Sequence, residues 1–284
     1  MDSRFIHLPK KRVTIDDIRD HITSEGAKRI HFATSHKNSL TSPKSGSHGK
    51  ITLPFRETIE HLLLKELTEF GQNYLFPSKF DNGGYWRGFK SQEDFELCQS
   101  FVEKYHQIVF LRDTLDLSLA LSMNLQDENT YTDLGELEYE AKYQHNKAAD
   151  VQLVSITGEW LQKLPYYSIA DSLCAMPCSD PNEPSLPRRI VDGLGHYDNI
   201  SAGVRWINKN HSLKELRTVD EKLEALENFG LEITSDLAGK NVILLDDLYM
   251  SGLSMQFVAM KLKEAGADRV FGISIVKARS NTAL

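Results

Sequence analysis

Cysteine is scarce: the 284 residues contain three, Cys98, Cys174 and Cys178. That excludes a disulfide framework, which needs a dense, even set. Cys174 and Cys178 stand four apart in CAMPCSD, yet no further Cys or close His completes a metal-ligand set. No apolar stretch approaches membrane-spanning length, and the opening MDSRFIHLPKKRVTIDD lacks the apolar centre of a signal peptide. The expectation is a cytoplasmic protein without membrane association. No G-x-x-x-x-G-K-[ST] run occurs, so a P-loop is absent, and no internal repeat is visible. Positive charge is not in excess either. Lys and Arg number 33 against 40 Asp and Glu, a net charge of −7, so nothing in the overall balance signals nucleic acid. What remains is an ordinary globular composition, 40% hydrophobic and 26% charged, long enough for one large domain or two smaller ones.

The most informative stretch is NVILLDDLYMSG, residues 241–252. Residues 242–245 form a short aliphatic, β-branched run after Gly239-Lys240, the pattern of a buried parallel strand. Unpaired carboxylates inside such a core would cost several kcal/mol. Asp246 and Asp247 are therefore expected at the carboxyl end of the strand. Residues 254–265 place Phe257, Val258, Met260 and Leu262 at helical spacing, with Gly266 as a stop signal. The order is strand, acidic pair, short loop, helix, and in open α/β sheets the crevice at the strand ends takes the ligand.

The loop chemistry narrows that ligand. Ser251-Gly252-Leu253-Ser254 leads into a helix whose first amides lack intrahelical partners, so N–H donors, hydroxyls and the helix dipole favour an anion. Gly252 lets the backbone approach a phosphate closely. Two adjacent carboxylates accept hydrogen bonds from a diol and can hold a hydrated Mg²⁺. A ribose 5-phosphate meets both requirements.

VILLDDLYMSGLS resembles the 5-phosphoribosyl-1-diphosphate (PRPP) loop of type I phosphoribosyltransferases. The resemblance implies that Asp246 and Asp247 bind the ribose hydroxyls as the catalytic pair. It implies a ribose and 5-phosphate cradle of Leu248, Tyr249, Met250, Ser251, Gly252, Leu253 and Ser254. CAMPCSD, after YYSIADSL entering a strand, is similar to the PVP start of the competence-associated ComF-like branch. That likeness implies pyrophosphate contacts at Met176, Pro177, Cys178 and Ser179. In HYDNISAGVRWINK, Tyr197-Asp198-Asn199 is expected to open a helix, and the polar span over 208–235 resembles a mobile hood with a cation from Lys209, Lys214 or Arg217. GADRVFGISIVKARS supplies the next strand, over 270–276.

The resemblance covers residues 151–284 and implies an α/β fold there, a parallel-rich sheet flanked by helices. Residues 1–150 are expected to form a mixed α/β accessory region that binds an acceptor or a partner, with the boundary near Asp150. The implied reaction transfers phosphoribose from PRPP to an unidentified acceptor, with inversion at C1 and release of pyrophosphate. Mg²⁺ is the implied cofactor, held through ligand and water rather than by direct protein ligands. A homodimer or a partner protein is the association left open. The resemblance also admits a reading without catalysis: a PRPP or nucleotide sensor or effector module, of the kind that occurs in prokaryotic defence cassettes, retron systems included. Two departures bear on this. Met250 stands where purine-salvage members often carry an acid, and a thioether cannot transfer a proton. Leu253 is bulkier than the small residue usual there, and the few residues after the last strand leave the acceptor surface to the first half.

That first half contains a Ser/Gly/Lys/Pro-rich loop over 34–50 and a helical pattern over 54–70 through Phe55, Ile59, Leu62, Leu63, Leu67 and Phe70. A second helix carries Phe95, Cys98, Phe101 and Tyr105, and a strand follows over 108–111. In DNGGYWRGF, Tyr85, Trp86, Arg87 and Phe89 suit stacking on a base or gripping a partner, although aromatics beside a turn also serve as satellite core. Asp133, Glu136, Glu138, Glu140 and His145 alternate as metal ligands would, but the pattern fits the wet face of a strand better.

Overall fold

The computed structural model describes residues 8–33, 39–66, 75–77, 84–178 and 184–279. The chain divides into a larger unit, Met1–Ser24 with Asp113–Leu284, and a smaller one, Glu25–Arg112. Helix α1 (Ile15–Thr23) opens the larger unit. The smaller unit follows with β1 (Arg29–His31), β2 (Leu40–Thr41), β3 (Lys50–Leu53), α2 (Ile59–Glu66), β4 (Phe76–Pro77), β5 (Tyr85–Gly88), α3 (Gln92–Lys104) and β6 (Val109–Leu111). The larger unit resumes with β7 (Leu117–Met123), α4 (Asp133–Tyr143), α5 (Lys147–Lys163), β8 (Ser172–Ala175), α6 (Leu186–Gly193) and β9 (Asp198–Asn199). It ends with β10 (Val204–Trp206), α7 (Val219–Phe229), β11 (Leu231–Ile233), β12 (Asn241–Tyr249), α8 (Leu253–Glu264) and β13 (Arg269–Lys277).

The larger unit is α/β. Its strands lie in the order β7-β13-β12-β8-β9, every neighbouring pair parallel. Central β13 is buried along its whole length, as is β12 through Leu245, which is why both read as apolar runs. The expected strand over 270–276 is β13. Helices α4, α5 and α6 pack together, and α1, α7 and α8 form a second group. In the second group Ile18 and Ile22 of α1 and Leu223, Leu226 and Phe229 of α7 meet Leu253, Phe257 and Met260 of α8 in one apolar cluster. Capping boxes start two of these helices: Thr14 with Asp17 on α1, and Thr218 with Glu221 on α7. The segment before α1 is tied down by the buried Arg269 guanidinium, which donates to the Leu8 carbonyl, and by Asp116, which accepts the Lys11 amide.

The smaller unit is mixed α/β. An antiparallel sheet runs β2-β3-β5-β4, and β1 pairs antiparallel with β6. The helix expected through Phe95 is α3, which buries Phe95, Cys98 and Phe101.

Several expectations change. Asp150 lies inside α5, and a cut there would take β7, a fully buried neighbour of β13, away from the sheet. The compact units instead separate at residues 24 and 112. Residues 133–143 form a helix rather than a strand face, because Thr132 caps the first turn through the Gly135 amide and the early acids favour a helix amino terminus. Asp198 and Asn199 pair with β8 as β9, followed by one short turn and β10, so they open no α-helix. The helix expected over 54–70 starts at Ile59, after Thr58 at φ 55°, and Leu67 and Phe70 lie outside the described residues. Of the expected loop over 34–50, residues 34–38 lie outside the described residues, while β2 and a Lys44–Ser47 bridge order the rest as a hairpin. The expected hood over 208–235 contains α7 and β11, and β11 pairs with β10.

Candidate functional site

Strand β12 does not stop at Leu245. It continues through both acids to Tyr249, pairing Asp246 with Ser274 and Leu248 with Val276 of β13. Side chains alternate along a strand, so the two carboxylates leave on opposite faces. Asp246 lines a cavity of about 460 Å³. Asp247 faces α4, where it forms an ion pair of 2.8 Å with Lys142. Lys142 also lies 3.5 Å from the buried Glu138. The expectation of two carboxylates side by side at a strand end is therefore corrected: one faces the cavity and one is neutralised behind it.

The electrostatics follow from that split. Burial raises the Asp246 carboxyl above the ordinary carboxylate range, and the neighbouring Asp247 charge adds to the effect, against the opposing pull of Lys142 and Lys209. Burial likewise raises Glu138. The Lys142 ammonium is held above its usual value by Asp247 and Glu138, despite its own desolvation.

Opposite Asp246, the cavity is walled by residues 209–214, by Lys222 of α7 and by residues 248–255. Leu248, Tyr249, Met250, Ser251, Gly252, Leu253 and Ser254 thus all lie on it. Gly252 sits at φ 78° and caps α8 without a side-chain hydrogen bond of its own; the Leu253 amide donates to the Ser251 hydroxyl at 3.4 Å, which leaves the next amides of the first turn to face the cavity mouth. Its conformation is demanded from beneath. The Tyr249 hydroxyl donates to buried Asp113 at 3.0 Å, and a Cβ on Gly252 would come within 2.1 Å of that hydroxyl. Leu253 is buried in the cluster of α1, α7 and α8, which accounts for its bulk.

Lys209 and Lys214 both line the cavity, whereas Arg217 is not among its lining residues: the Arg217 amide donates to Glu221 at the start of α7. The Lys209 ammonium lies 5.2 Å from the centre of the Trp206 ring, and burial lowers its pKa against the attraction of Asp246 and Cys178. Lys222 is a cavity residue that sequence reasoning missed. It is 4% exposed, on the face of α7 that carries Leu223, Leu226 and Phe229. A lysine inside the apolar stripe of an amphipathic helix was the available signal.

Met176, Pro177 and Cys178 follow β8 and line a second cavity of about 500 Å³, together with Ser185, Arg188, Arg205 and Trp206. Trp206 fixes its rim by donating from Nε1 to the Pro177 carbonyl at 3.0 Å. Ser179 lies outside the described residues. Among the described residues no group of three His, Cys, Asp or Glu side chains could hold a metal ion, the acids of α4 included, and no helix is long and apolar enough to cross a membrane.

No protein-family model and no curated protein matches the sequence. Among solved structures, the chain is similar to a hypoxanthine phosphoribosyltransferase from Staphylococcus aureus in an orthorhombic crystal form, at 9% identity and a TM-score of 0.31, over 54% of this chain and 69% of that one. The tetragonal form of that protein gives 9% identity and 0.30 over 54% and 68%. A glutamic acid mutant, from an analysis of an invariant aspartic acid in HPRTs, gives 10% identity and 0.28 over 53% and 72%.

Proposed function

We propose that the chain binds PRPP in the cavity at the end of β12 and acts as a phosphoribosyltransferase-like protein. The carrying observation is the charge of that cavity: Lys209, Lys214 and Lys222 stand against one carboxylate, Asp246, beside a hydroxyl-bearing loop that opens a helix. Cations and unpartnered amides select a phosphorylated ligand, and a carboxylate among them selects one with hydroxyls to donate. In this reading Ser251 to Ser254 take the 5-phosphate and Asp246 takes the ribose diol. Asp247, neutralised by Lys142 on the opposite face of β12, holds the end of the strand in place and does not contact the ribose. Met176, Pro177, Cys178 and Ser179 take the pyrophosphate, with Arg188 and Arg205 as neighbouring cations.

The chemistry is a displacement at C1. The bond from C1 to the pyrophosphate oxygen breaks, its electron pair leaves with pyrophosphate, and a lone pair of the acceptor forms the new bond as the acceptor's proton passes to water. Met250 cannot take that proton, so the protein's contribution is positioning and neutralisation. The residues suit a Mg²⁺ that stays on the ligand and its waters, because among the described residues Asp246 is the one carboxylate lining the cavity, set among lysines. When bound, the ion neutralises charge on the departing pyrophosphate.

A thermal melt tests binding. With PRPP and Mg²⁺ at about 100 times the dissociation constant, the fold should gain about 2.7 kcal/mol. A melt unmoved at millimolar ligand would remove the proposal. Lys222→Gln should weaken ribose 5-phosphate binding by about 1.5–3 kcal/mol, the usual worth of a hydrogen bond to a charged group, measured by calorimetric titration. Unchanged affinity would take Lys222 out of the phosphate site.

A second reading, a PRPP or nucleotide sensor or effector without turnover, is favoured by one observation. Asp247 is already committed to Lys142, and Met250 offers no base. Pyrophosphate release from PRPP across a panel of bases separates the two: steady release means transfer, and binding without release means sensing.

A further inference from the structure

The smaller unit carries an aromatic pair on the open face of a sheet. Phe76 and Trp86 are cross-strand partners on β4 and β5, with ring centres 5.9 Å apart, and are 47% and 40% exposed. Thr52 of β3 continues the same row, and the next row holds Thr41, Lys50 and Gly88. The opposite face buries Ile51, Leu53 and Arg87, so the outward rows are the solvent side of the sheet. Large exposed aromatics in contact on a sheet are unusual unless something covers them.

The chemistry of that face selects its occupant. No carboxylate is on either outward row among the described residues, and Lys50 is the charged side chain present. Residues 25–112 contain twelve Lys and Arg against ten Asp and Glu, a net charge of +2, while the remainder of the chain carries −9. The acidic total of the protein thus conceals a unit of opposite sign. Lys50 and Trp86 stand one row apart, about 6.8 Å along the strands, a reach that suits a phosphate flanking a base stacked on the indole. Gly88 keeps the surface beside Trp86 low: a Cβ there would touch the ring at 3.6 Å.

We infer that this sheet face binds single-stranded nucleic acid, with two bases stacked on Phe76 and Trp86 and a backbone phosphate at Lys50. Stacking on exposed rings is tolerant of sequence, because every base has a π-face, and a lysine beside it supplies the salt-dependent component. The inference does not depend on the PRPP reading, since none of these residues belongs to the cavity of β12.

Fluorescence anisotropy of the full chain with labelled twelve-nucleotide oligo(dT) and oligo(rU), at about 50 mM salt, is the test. Expected is binding that Trp86→Ala and Phe76→Ala each weaken about tenfold. Lys50→Glu should weaken it too and flatten its salt dependence. Tyr143→Ala, an exposed tyrosine on α4, should leave affinity unchanged. Since both rings are exposed, the variants should melt with the wild type, which keeps the comparison clean. Binding of only one of the two oligomers supports the inference and shows that the face discriminates between the two pyrimidine polymers. Failure of both to bind at high micromolar protein, or equal binding by the Phe76→Ala, Trp86→Ala double variant, overturns it. So does a chain that binds neither but loses self-association in sedimentation when both rings are removed, which would make the face a contact between copies.

Discussion

Gly252→Ala should lose about 2–4 kcal/mol of stability and abolish ligand-induced stabilisation. Two costs combine. A residue with a side chain held at φ 78° carries strain of about 1 kcal/mol or more. The added Cβ would also lie 2.1 Å from the Tyr249 hydroxyl and 2.3 Å from its Cζ, far inside contact distance. The tyrosine cannot retreat freely, because its hydroxyl donates to Asp113, which is 7% exposed. Breaking that bond leaves a buried carboxylate short of a donor, worth about 1–3 kcal/mol. The alternative is for the loop to lift, and then the first turn of α8 no longer meets the cavity in the same geometry. Urea denaturation gives the first number, and the melting shift with ribose 5-phosphate gives the second. An alanine variant that unfolds with the wild type and still responds to ligand would mean that Tyr249 is not the floor on which the loop rests. Tyr249→Phe separates the components: it should lose the Asp113 bond while keeping the ring under Gly252.

The sequence made the central strand, its helix and the loop between them legible, because those elements follow from local rules. An aliphatic run flanked by Gly239-Lys240 is a strand, Gly252 marks a turn, and helical spacing with Gly266 marks α8. The end of β12 was not legible. Its acids look like strand breakers, and only the parallel partner β13 carries the ladder on to Tyr249. Strand β7 escaped notice for the opposite reason. In LSLALSM the serines imitate a solvent face, but Ser118 and Ser122 are buried in a sheet covered on both sides. On α4 the alternating acids imitate a strand face, whereas the helix is set by the Thr132 cap and by Lys142, whose partner is 105 residues away in sequence. The division of the chain was hidden as well. Its larger unit is discontinuous, with α1 returning to pack on α7 and α8, and no Pro/Gly/Ser-rich linker marks residues 24 or 112. Lys222 was overlooked because a lysine on a helix is ordinarily a solvated one, and its burial is a product of tertiary packing.

Asp246→Asn and Asp247→Asn should have opposite effects on the fold, although the two residues are adjacent and chemically alike. Asp246 is a carboxylate raised by burial and by its neighbour's charge. Its protonated form is the one the folded state prefers, so the stability it contributes is complete below the ordinary carboxylate value of about 4 and is lost as pH rises through the higher folded-state value. Asparagine avoids that loss. The unliganded Asp246→Asn protein should therefore match the wild type at acid pH and exceed it increasingly toward neutrality, while its affinity for ribose 5-phosphate falls by about 1.5–3 kcal/mol with the loss of a charged acceptor. Asp247 is 13% exposed and holds Lys142, itself 30% exposed and desolvated on one side. Removing that charge leaves the ammonium with Glu138 at 3.5 Å, an acid that burial already raises. Breaking a fully buried pair costs about 3–5 kcal/mol; with Lys142 partly in water, about 1–3 kcal/mol is expected. Replacing Lys142 by Met together with Asp247→Asn should recover much of this, because the stranded charge is then gone. Urea melts at acid and neutral pH, paired with calorimetric titration of ribose 5-phosphate, read all of these quantities. Two single variants that lose stability equally, with no dependence of their difference on pH, would mean that the carboxylates share one environment, and the assignment of Asp246 alone to the cavity would fall.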